Sequence, residues 1–196
     1  MQNDTYKEKT KETYDLYAKD FDAKFGEHFN ARVKDEADIF ISYLAGNKIL
    51  DIGSGPGNHA EYFKSKGFDV ICGDISPAMV SLCAQKGLRA ELIDIEEKTL
   101  PDTFHAVWAY AVLLHIPKNK IKKAVENILV MLKPGGLIGL ALKEGEGEHM
   151  ETHHSYPNTE RLFTYFTDQE VRELFLPTFD LLHFNRMVDR IKYRHL

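Results

Sequence analysis

The residues from Ile49 to Ala60 read Ile-Leu-Asp-Ile-Gly-Ser-Gly-Pro-Gly-Asn-His-Ala. An apolar run ends beside an acid and opens into glycines at alternate positions, just before a helix-like segment. This pattern predicts a buried parallel strand over residues 48–52 that breaks into a turn without side chains at Gly53, Gly55 and Gly57. Backbone N–H groups in such a turn can approach a ligand closely. The sequence therefore predicts a binding site at this turn.

The charge at the turn narrows the choice of ligand. The glycines are spaced G-x-G-x-G rather than G-x-G-x-x-G, and Asp51 precedes the first of them. A carboxylate at this point would repel a pyrophosphate, whereas it would attract an ammonium or a sulfonium group. The turn favours a cationic ligand over a nicotinamide dinucleotide.

Apolar runs of strand length alternate with helical periodicity from Ile49 to Leu142, which predicts an α/β fold with a doubly wound, mainly parallel sheet. Further strands are predicted over residues 69–73, 89–93, 104–109, 137–142 and 179–184. A helix is predicted from Lys118 to Lys133, before Pro134, and another after a capping box that starts at Thr167.

These ordered motifs resemble the class I S-adenosylmethionine (SAM) dependent methyltransferases, from about Tyr14 to Val188. The resemblance implies a Rossmann-like sheet of seven strands, of which the last, Ile191 to Leu196, would be short or truncated. It implies a single domain over residues 1–196. Within it, residues 1–45 would form a helical lid and residues 46–196 an α/β core, with an acceptor-binding segment at about 143–166.

The resemblance also assigns residues to the SAM cofactor. Asp51 and the three glycines would hold its methionine end. Asp74 closes the second strand at the interval where an acid binds ribose hydroxyls, and Ser76 with Pro77 already supplies the nearby helix cap. The remaining cofactor residues would be Ile75, Asp94, Ile95, Tyr110 and Tyr14.

Two of these assignments have ordinary structural alternatives. Asp94 would bind the adenine amino group, but it could belong to a solvated acidic turn with Glu96 and Glu97. Tyr14 matches the first tyrosine of the family's amino-terminal lid. Its spacing to Tyr17 and Phe21 also suits an amphipathic helix packed on the core.

The acceptor side is less defined. His115 follows the fourth strand and is the candidate general base, because histidine titrates near neutrality; the alternative is a histidine that only bonds backbone. Lys143, Arg161 and Tyr165 are candidate ligands for an acidic or phenolic acceptor, or they pair with Glu144, Glu146 or Glu148. Residues 143–156 are polar and broken by glycine, which predicts a substrate-contacting segment or a mobile surface loop. His149 and His153 lack the H-E-x-x-H pattern, so no metal is expected.

Composition limits the partners. The chain has 196 residues, a net charge of −5 and two cysteines, with neither an apolar leader nor a run long enough to cross a membrane. We therefore expect a cytoplasmic protein with reduced thiols. No D/N-P-P-Y run and no Pro-Cys nucleophile is present, so DNA is not an expected partner.

The predicted function is methyl transfer from SAM to O, N, S or C of a small molecule. An RNA or protein methyltransferase and a non-catalytic SAM-binding regulatory module are the alternatives. A nicotinamide-dependent oxidoreductase would need the missing glycine spacing.

Overall fold

A computed structural model describes residues 5–186, and its centre is a five-stranded sheet in which all strands are parallel. The strands lie in the order β3-β2-β1-β4-β5. They are β1 (Lys48–Ile52), β2 (Asp69–Asp74), β3 (Arg89–Leu92), β4 (Phe104–Tyr110) and β5 (Leu132–Ala141). The predicted doubly wound α/β fold is confirmed, with five strands rather than seven in the part of the chain described.

The sheet is covered on both faces. Seven helices accompany it within residues 5–186: α1 (Thr5–Leu16), α2 (Ala18–His28), α3 (Lys34–Ser42), α4 (Asn58–Ser65), α5 (Pro77–Gln85), α6 (Lys118–Met131) and α7 (Asp168–Phe175). Burial on both sides explains why β1 has apolar residues on both of its faces, at Ile49, Leu50 and Ile52. Alternation along β1 sends Leu50 and Ile52 into one core cluster, whereas Ile49 faces the other.

The chain order reverses between β1 and β4. β1 pairs with β2 on one side and with β4 on the other, so the chain leaves β1 in one direction and later returns across it. In open parallel sheets, the carboxyl ends of the strands at such a switch point form a crevice. The turn that begins at Gly53 lies at this point.

The amino-terminal region is helical, as the sequence predicts. A short π-helical turn, Phe29–Val33, joins α2 to α3. Phe21 of α2 is buried against Met79 of α5 and against Tyr156. The side chain of Asp15 accepts hydrogen bonds from the Ser76 hydroxyl and from the Ala78 backbone at the start of α5. Packing and these polar contacts hold the amino-terminal helices over the carboxyl edge of the sheet.

The segment after β5 differs from the predicted loop. It forms a second sheet of β6 (Lys143–Glu144), β7 (Glu148–His153) and β8 (Tyr156–Phe166), in which β7 and β8 are antiparallel. β8 carries buried apolar residues near its end, Leu162, Phe163 and Phe166. The packing of β8 on α1 and on the core fixes this strand in place. The polar residues that precede it pair with it and form β6 and β7.

The carboxyl-terminal predictions have mixed outcomes. The capping box at Thr167 is present and α7 follows it. The sixth strand predicted over 179–184 is wrong, because residues 179–186 form no regular element and Leu181, Leu182 and Phe184 are more than half exposed. The predicted strand from Ile191 to Leu196 lies outside the described residues.

Candidate functional site

One cavity of about 370 Å³ lies at the carboxyl ends of the parallel strands, beneath the amino-terminal helices. We divide its lining into two halves. The strand-end half includes Gly53, Gly55, Asp74, Ile75, Asp94 and Ile95. The β8 half includes Tyr14, His115, Lys143, Arg161 and Phe163. Both halves belong to the same continuous cavity.

The glycine turn is shaped by close approach. Gly53 has a φ of +67°, and a Cβ placed there would lie 2.3 Å from the Cβ of Val112. Its N–H donates to the carbonyl of Gly73, at 2.7 Å. This hydrogen bond anchors the turn to the neighbouring strand. Because φ is positive and a side chain would collide with Val112, only glycine fits at this position.

Asp74 joins the turn to the end of β2. One carboxyl oxygen accepts from the Gly55 N–H at 2.8 Å, and the other accepts from the Ser76 N–H at 2.9 Å. Burial raises the pKa of Asp74 to about 6, although backbone N–H groups, including those of Ser76 and Gly55, act in the opposite direction. Each carboxylate oxygen can accept a further bond, so Asp74 can still receive hydroxyl donors from the cavity.

Asp51 and Gly57 are not among the lining residues. Asp51 is buried, its Oδ2 atom has no hydrogen-bond partner within the described chain, and burial raises its pKa well above the usual range. It therefore does not present a charge at the mouth of the turn. Gly57 starts α4 with a φ of +86°, and a Cβ there would lie 2.6 Å from Leu88, so its role is in packing.

The ends of β3 and β4 complete the strand-end side. Asp94, Ile95 and Tyr110, which the sequence assigns to the cofactor, line the cavity here, together with Ile75 at the end of β2. Asp94 is paired with Lys7 of α1, at 2.6 Å. The residue after Tyr110 is Ala111, which lines the cavity with a φ of 59°, a conformation uncommon outside glycine.

His115 belongs to a chain of hydrogen bonds in the β8 half, and the donor and the acceptor of each bond can be assigned. Its Nδ1 lies 2.6 Å from the carbonyl of Leu162, which can only accept, so Nδ1 carries the proton. In the neutral ring Nε2 must then accept, and it does so from the Tyr14 hydroxyl at 2.8 Å. Burial lowers the pKa of His115 to about 3, and the charges of Arg161 and Lys143 act in the same direction.

Arg161 continues this chain. Its Nη1 donates to the Tyr14 hydroxyl at 3.1 Å, so that hydroxyl accepts from Arg161 and donates to His115. Phe163, two residues on, lies under the Lys143 ammonium, which is 3.5 Å from the ring centroid. The structure thus brings together Tyr14, a predicted cofactor residue, His115, the candidate base, and Lys143 and Arg161, two of the three candidate acceptor ligands.

Tyr165 does not join them. Its hydroxyl donates to Glu151 of β7, a bond that raises its pKa to about 12, and its ring stacks on His149 outside the cavity. The alternative prediction for Tyr165 is a contact with Glu144, Glu146 or Glu148, but its partner is a different glutamate, Glu151.

Among the described residues no cluster of histidine, cysteine or acidic side chains is arranged to hold a metal ion. Both cysteines, Cys72 and Cys83, are buried and free. Within residues 5–186, no helix has the length and apolarity to span a bilayer.

Sequence reasoning missed two lining residues that matter. Phe163 lies on β8, where aromatic and β-branched residues are a strand signal that could have been used. Lys7 has no such signal, because Asp94, its partner, is 87 residues away.

Comparison with known proteins agrees with this architecture. Residues 49–136 match the sequence family described as "Methyltransferase domain". The tRNA (carboxymethyluridine(34)-5-O)-methyltransferase of Arabidopsis thaliana is 32% identical over 109 residues, which are 55% of this chain and 26% of that protein. The chain spans less than half the length of the curated relatives it matches.

Solved structures extend the likeness beyond the matched segment. The DhpI complex with SAH has a TM-score of 0.71 at 19% identity and covers 88% of this chain and 86% of its own. The 1,6-didemethyltoxoflavin-N1-methyltransferase of Burkholderia thailandensis has a TM-score of 0.58 at 22% identity and covers 83% of this chain and 75% of its own. At these identities the likeness establishes the fold.

The sequence match over residues 49–136, the strand order and the glycine turn at the switch point agree with one another. The α/β core of this chain has the fold of solved methyltransferases, and residues 49–136 within it are similar in sequence to the methyltransferase domain family.

Proposed function

We propose that this protein transfers a methyl group from SAM to an O, N, S or C atom of a small-molecule acceptor, in the cytoplasm. The observation that carries the proposal is that the two halves, which differ in their residues, line one continuous cavity. Its strand-end half has the backbone turn and acids that suit the cofactor, and its β8 half has aromatic and cationic side chains that suit an acceptor. Two buried free cysteines are consistent with a reducing compartment.

The residues of the strand-end half fit SAM. Asp74 would receive the ribose hydroxyls, Ile75 and Ile95 would contact the adenine, and Asp94 would receive its amino group. Gly53 and Gly55 leave the space that side chains would otherwise fill. When bound, SAM supplies a methyl group on a positively charged sulfur. Lys7 now pairs with Asp94, so cofactor binding requires Asp94 to share or exchange this contact.

The β8 half supports transfer without a general base. A base is most effective when its pKa lies near the working pH, whereas burial holds the pKa of His115 at about 3. Its Nε2 already accepts from Tyr14, so no lone pair on the ring is available to a substrate proton. We therefore assign His115 a positioning role: it fixes the Tyr14 hydroxyl. An acceptor with a free lone pair or an existing negative charge needs no more than alignment and exclusion of water.

The size of the cavity favours a small acceptor. Its volume of about 370 Å³ falls within the range of about 300 to 1,000 Å³ typical of small-molecule sites. The relative from A. thaliana, a tRNA methyltransferase by name, supports RNA as the second candidate. An RNA substrate would bind more weakly as salt rises, with a slope set by the number of phosphate contacts.

Two measurements test the proposal. Calorimetric titration should show SAM binding, which Asp74→Ala weakens by about tenfold or more because the ribose hydroxyls lose their acceptor. Asp69→Ala, at the opposite and exposed end of the same strand, is the matched control and should leave the affinity unchanged.

A screen of small metabolites for release of S-adenosylhomocysteine then separates turnover from binding alone. Release with small acceptors supports the proposal. SAM binding with release only when RNA is added would favour the second candidate. Binding of NAD without binding of SAM would reject both.

A further inference from the structure

We propose that the acceptor is held by an anionic oxygen group, a carboxylate or a phosphate ester, which binds the guanidinium of Arg161 inside the cavity. This inference rests on the proposed function and specifies its substrate class. It starts from the contacts of a single side chain.

Arg161 lies in a box of aromatic rings. Its guanidinium carbon is 5.0 to 5.5 Å from the centroids of four rings: Tyr14, Phe21, Tyr156 and Phe163. Such rings attract a cation, but they carry no charge and do not neutralise it. The box holds the planar group in place while leaving its charge uncompensated.

Arg161 has no carboxylate partner within the part of the chain described. Its one hydrogen bond goes to the Tyr14 hydroxyl, although a guanidinium has five N–H donors. Two other arginines make a useful contrast: Arg172 pairs with Asp168, and Arg89 pairs with Asp102. Both of these lie outside the cavity lining, whereas Arg161 lines it.

A second cationic side chain lies in the same half of the cavity as Arg161. Lys143 lines the same half of the cavity and has Glu151 at 3.8 Å, a partner shared with Tyr165. The charges of Arg161 and Lys143 both disfavour protonation of the buried His115. Burial is the main cause of the low pKa of His115, and the two cations add to it. Two cationic side chains that line the same half of a cavity favour an anion there.

The geometry of the guanidinium selects the kind of anion. Its fork of N–H groups matches the two oxygens of a carboxylate or of a phosphate. An amide of the same shape offers one acceptor and no charge. Acids should therefore bind in preference to their neutral analogues.

The test uses three probes of similar size: benzoate, phenyl phosphate and the neutral benzamide. Each is titrated by calorimetry into the full-length protein saturated with S-adenosylhomocysteine. We expect at least one of the two anions to bind about tenfold or more tightly than benzamide. The tighter of the two identifies the anionic group.

Substitutions of Arg161 test whether this side chain is responsible for the preference for anions. Arg161→Met should weaken binding of the preferred anion by about tenfold or more, and Arg161→Lys should weaken it less, because the charge remains but the fork is lost. Arg172→Met, which removes an exposed arginine with a carboxylate partner, should change nothing. Thermal unfolding and S-adenosylhomocysteine affinity report whether each variant is folded.

Several outcomes would overturn the inference: benzamide binding as well as both anions, neither anion binding at millimolar concentration, or Arg161→Met keeping full anion affinity. If Arg161→Met does not fold, the comparison of probes on the wild-type protein and the Arg161→Lys variant decides. Loss of anion preference with intact S-adenosylhomocysteine binding rejects this inference alone. Failure to bind S-adenosylhomocysteine rejects the proposed function.

Discussion

The two halves of the cavity are built in different ways. In the strand-end half, Asp74 ends its strand, and Gly53 and Asp94 follow theirs by one or two positions. In the β8 half, Tyr14 and His115 are 101 residues apart in the chain, and Arg161 and Tyr14 are 147 apart. The first half is set by local sequence and sheet pairing, and the second by the docking of α1 against β8.

The two ways of building the site correspond to two functions, cofactor binding and recognition of the acceptor. Cofactor binding needs a rigid backbone turn and acids at fixed positions, which a parallel sheet supplies wherever its strands end. Recognition of an acceptor depends on side chains from elements that can vary without disturbing the sheet. Substitutions in the strand-end half should therefore affect the fold and cofactor affinity, whereas those in the β8 half should affect the acceptor.

The largest expected effect comes from Gly53→Ala. The new Cβ would meet Val112 at 2.3 Å, and alanine would have to adopt a φ of +67°. Overpacking and backbone strain together should lower the free energy of unfolding by about 3 kcal/mol and abolish SAM binding. Urea denaturation and calorimetry measure the two effects.

Gly87→Ala is the matched control for this variant. Its φ is +70°, nearly that of Gly53, but a Cβ there has no atom within 4 Å. Only the backbone strain remains, so the cost should be about 1 kcal/mol with SAM affinity unchanged. Equal losses of stability in the two variants would show that close packing at the glycine turn is not what defines the strand-end half.

Local signals explain which parts of the fold the sequence predicts. The glycine turn, the first four strands and α6 follow from hydrophobic runs and turn residues that are close together in the chain. The apolar run at Phe179 to Phe184 carries the same local signal and forms no strand, because pairing depends on a partner strand rather than on composition. β8 was missed although its partner strand β7 is adjacent in the chain, because β7 is almost entirely polar and carries no strand signal. The helix α1, on which β8 packs, lies far away in sequence.

Asp51 illustrates the limit for single residues. From the sequence, its carboxylate should guard the turn and select a cation. Side chains on a strand alternate between faces, so Asp51 shares the face of Ile49 and lies beneath the start of α4, with the Ala60 N–H as a hydrogen-bond donor. Asp74, by contrast, lines the cavity and accepts a hydrogen bond from the Gly55 N–H of the glycine turn. A carboxylate therefore does lie beside the glycine turn, but it belongs to Asp74 rather than to Asp51.

Acidity should weaken binding in the strand-end half through Asp74. Its pKa is raised to about 6, so the carboxyl is ionised at pH 7.5 and increasingly protonated below pH 6. The ionised form accepts hydroxyl hydrogen bonds better and attracts a cation. SAM affinity should therefore rise with pH through about 6, with a loss of about tenfold between the plateau and pH 5.

Asp74→Asn removes this titration and should give weak binding with a flat profile between pH 5 and pH 7.5. Calorimetry at four pH values measures it. A slope that persists in the variant would assign the titration to a group other than Asp74.

A smaller effect, confined to the other half, is expected from Tyr14→Phe. The ring and its contacts remain, but His115 loses its donor and Arg161 loses its acceptor. Acceptor turnover should fall by about tenfold, corresponding to the loss of hydrogen bonds to a charged and a buried group, while SAM affinity changes by less than about twofold. The assay is release of S-adenosylhomocysteine with the acceptor found by the metabolite screen.

Tyr17→Phe provides the comparison, because its hydroxyl donates to the exposed carbonyl of Pro157, away from His115. It should retain full turnover. If Tyr14→Phe instead lowers SAM affinity with turnover otherwise intact, Tyr14 acts on the cofactor, as the resemblance to the family's lid implies, and the boundary between the two halves shifts.

The smallest effect should come from Thr167→Ala, which lies in neither half. The Thr167 hydroxyl accepts from the Glu170 N–H, and the Glu170 side chain accepts from the Thr167 N–H, so the substitution breaks a reciprocal cap at the start of α7. The free energy of unfolding should fall by about 1 kcal/mol.

Thr152→Ala, at an exposed position of β7, is the control, and its free energy of unfolding should stay within about 0.5 kcal/mol of the wild-type value. Neither variant should alter SAM or acceptor binding. A clear loss of acceptor binding in Thr167→Ala would mean that the β8 half extends through the end of β8 into α7, because β8 and α7 are joined directly at this cap.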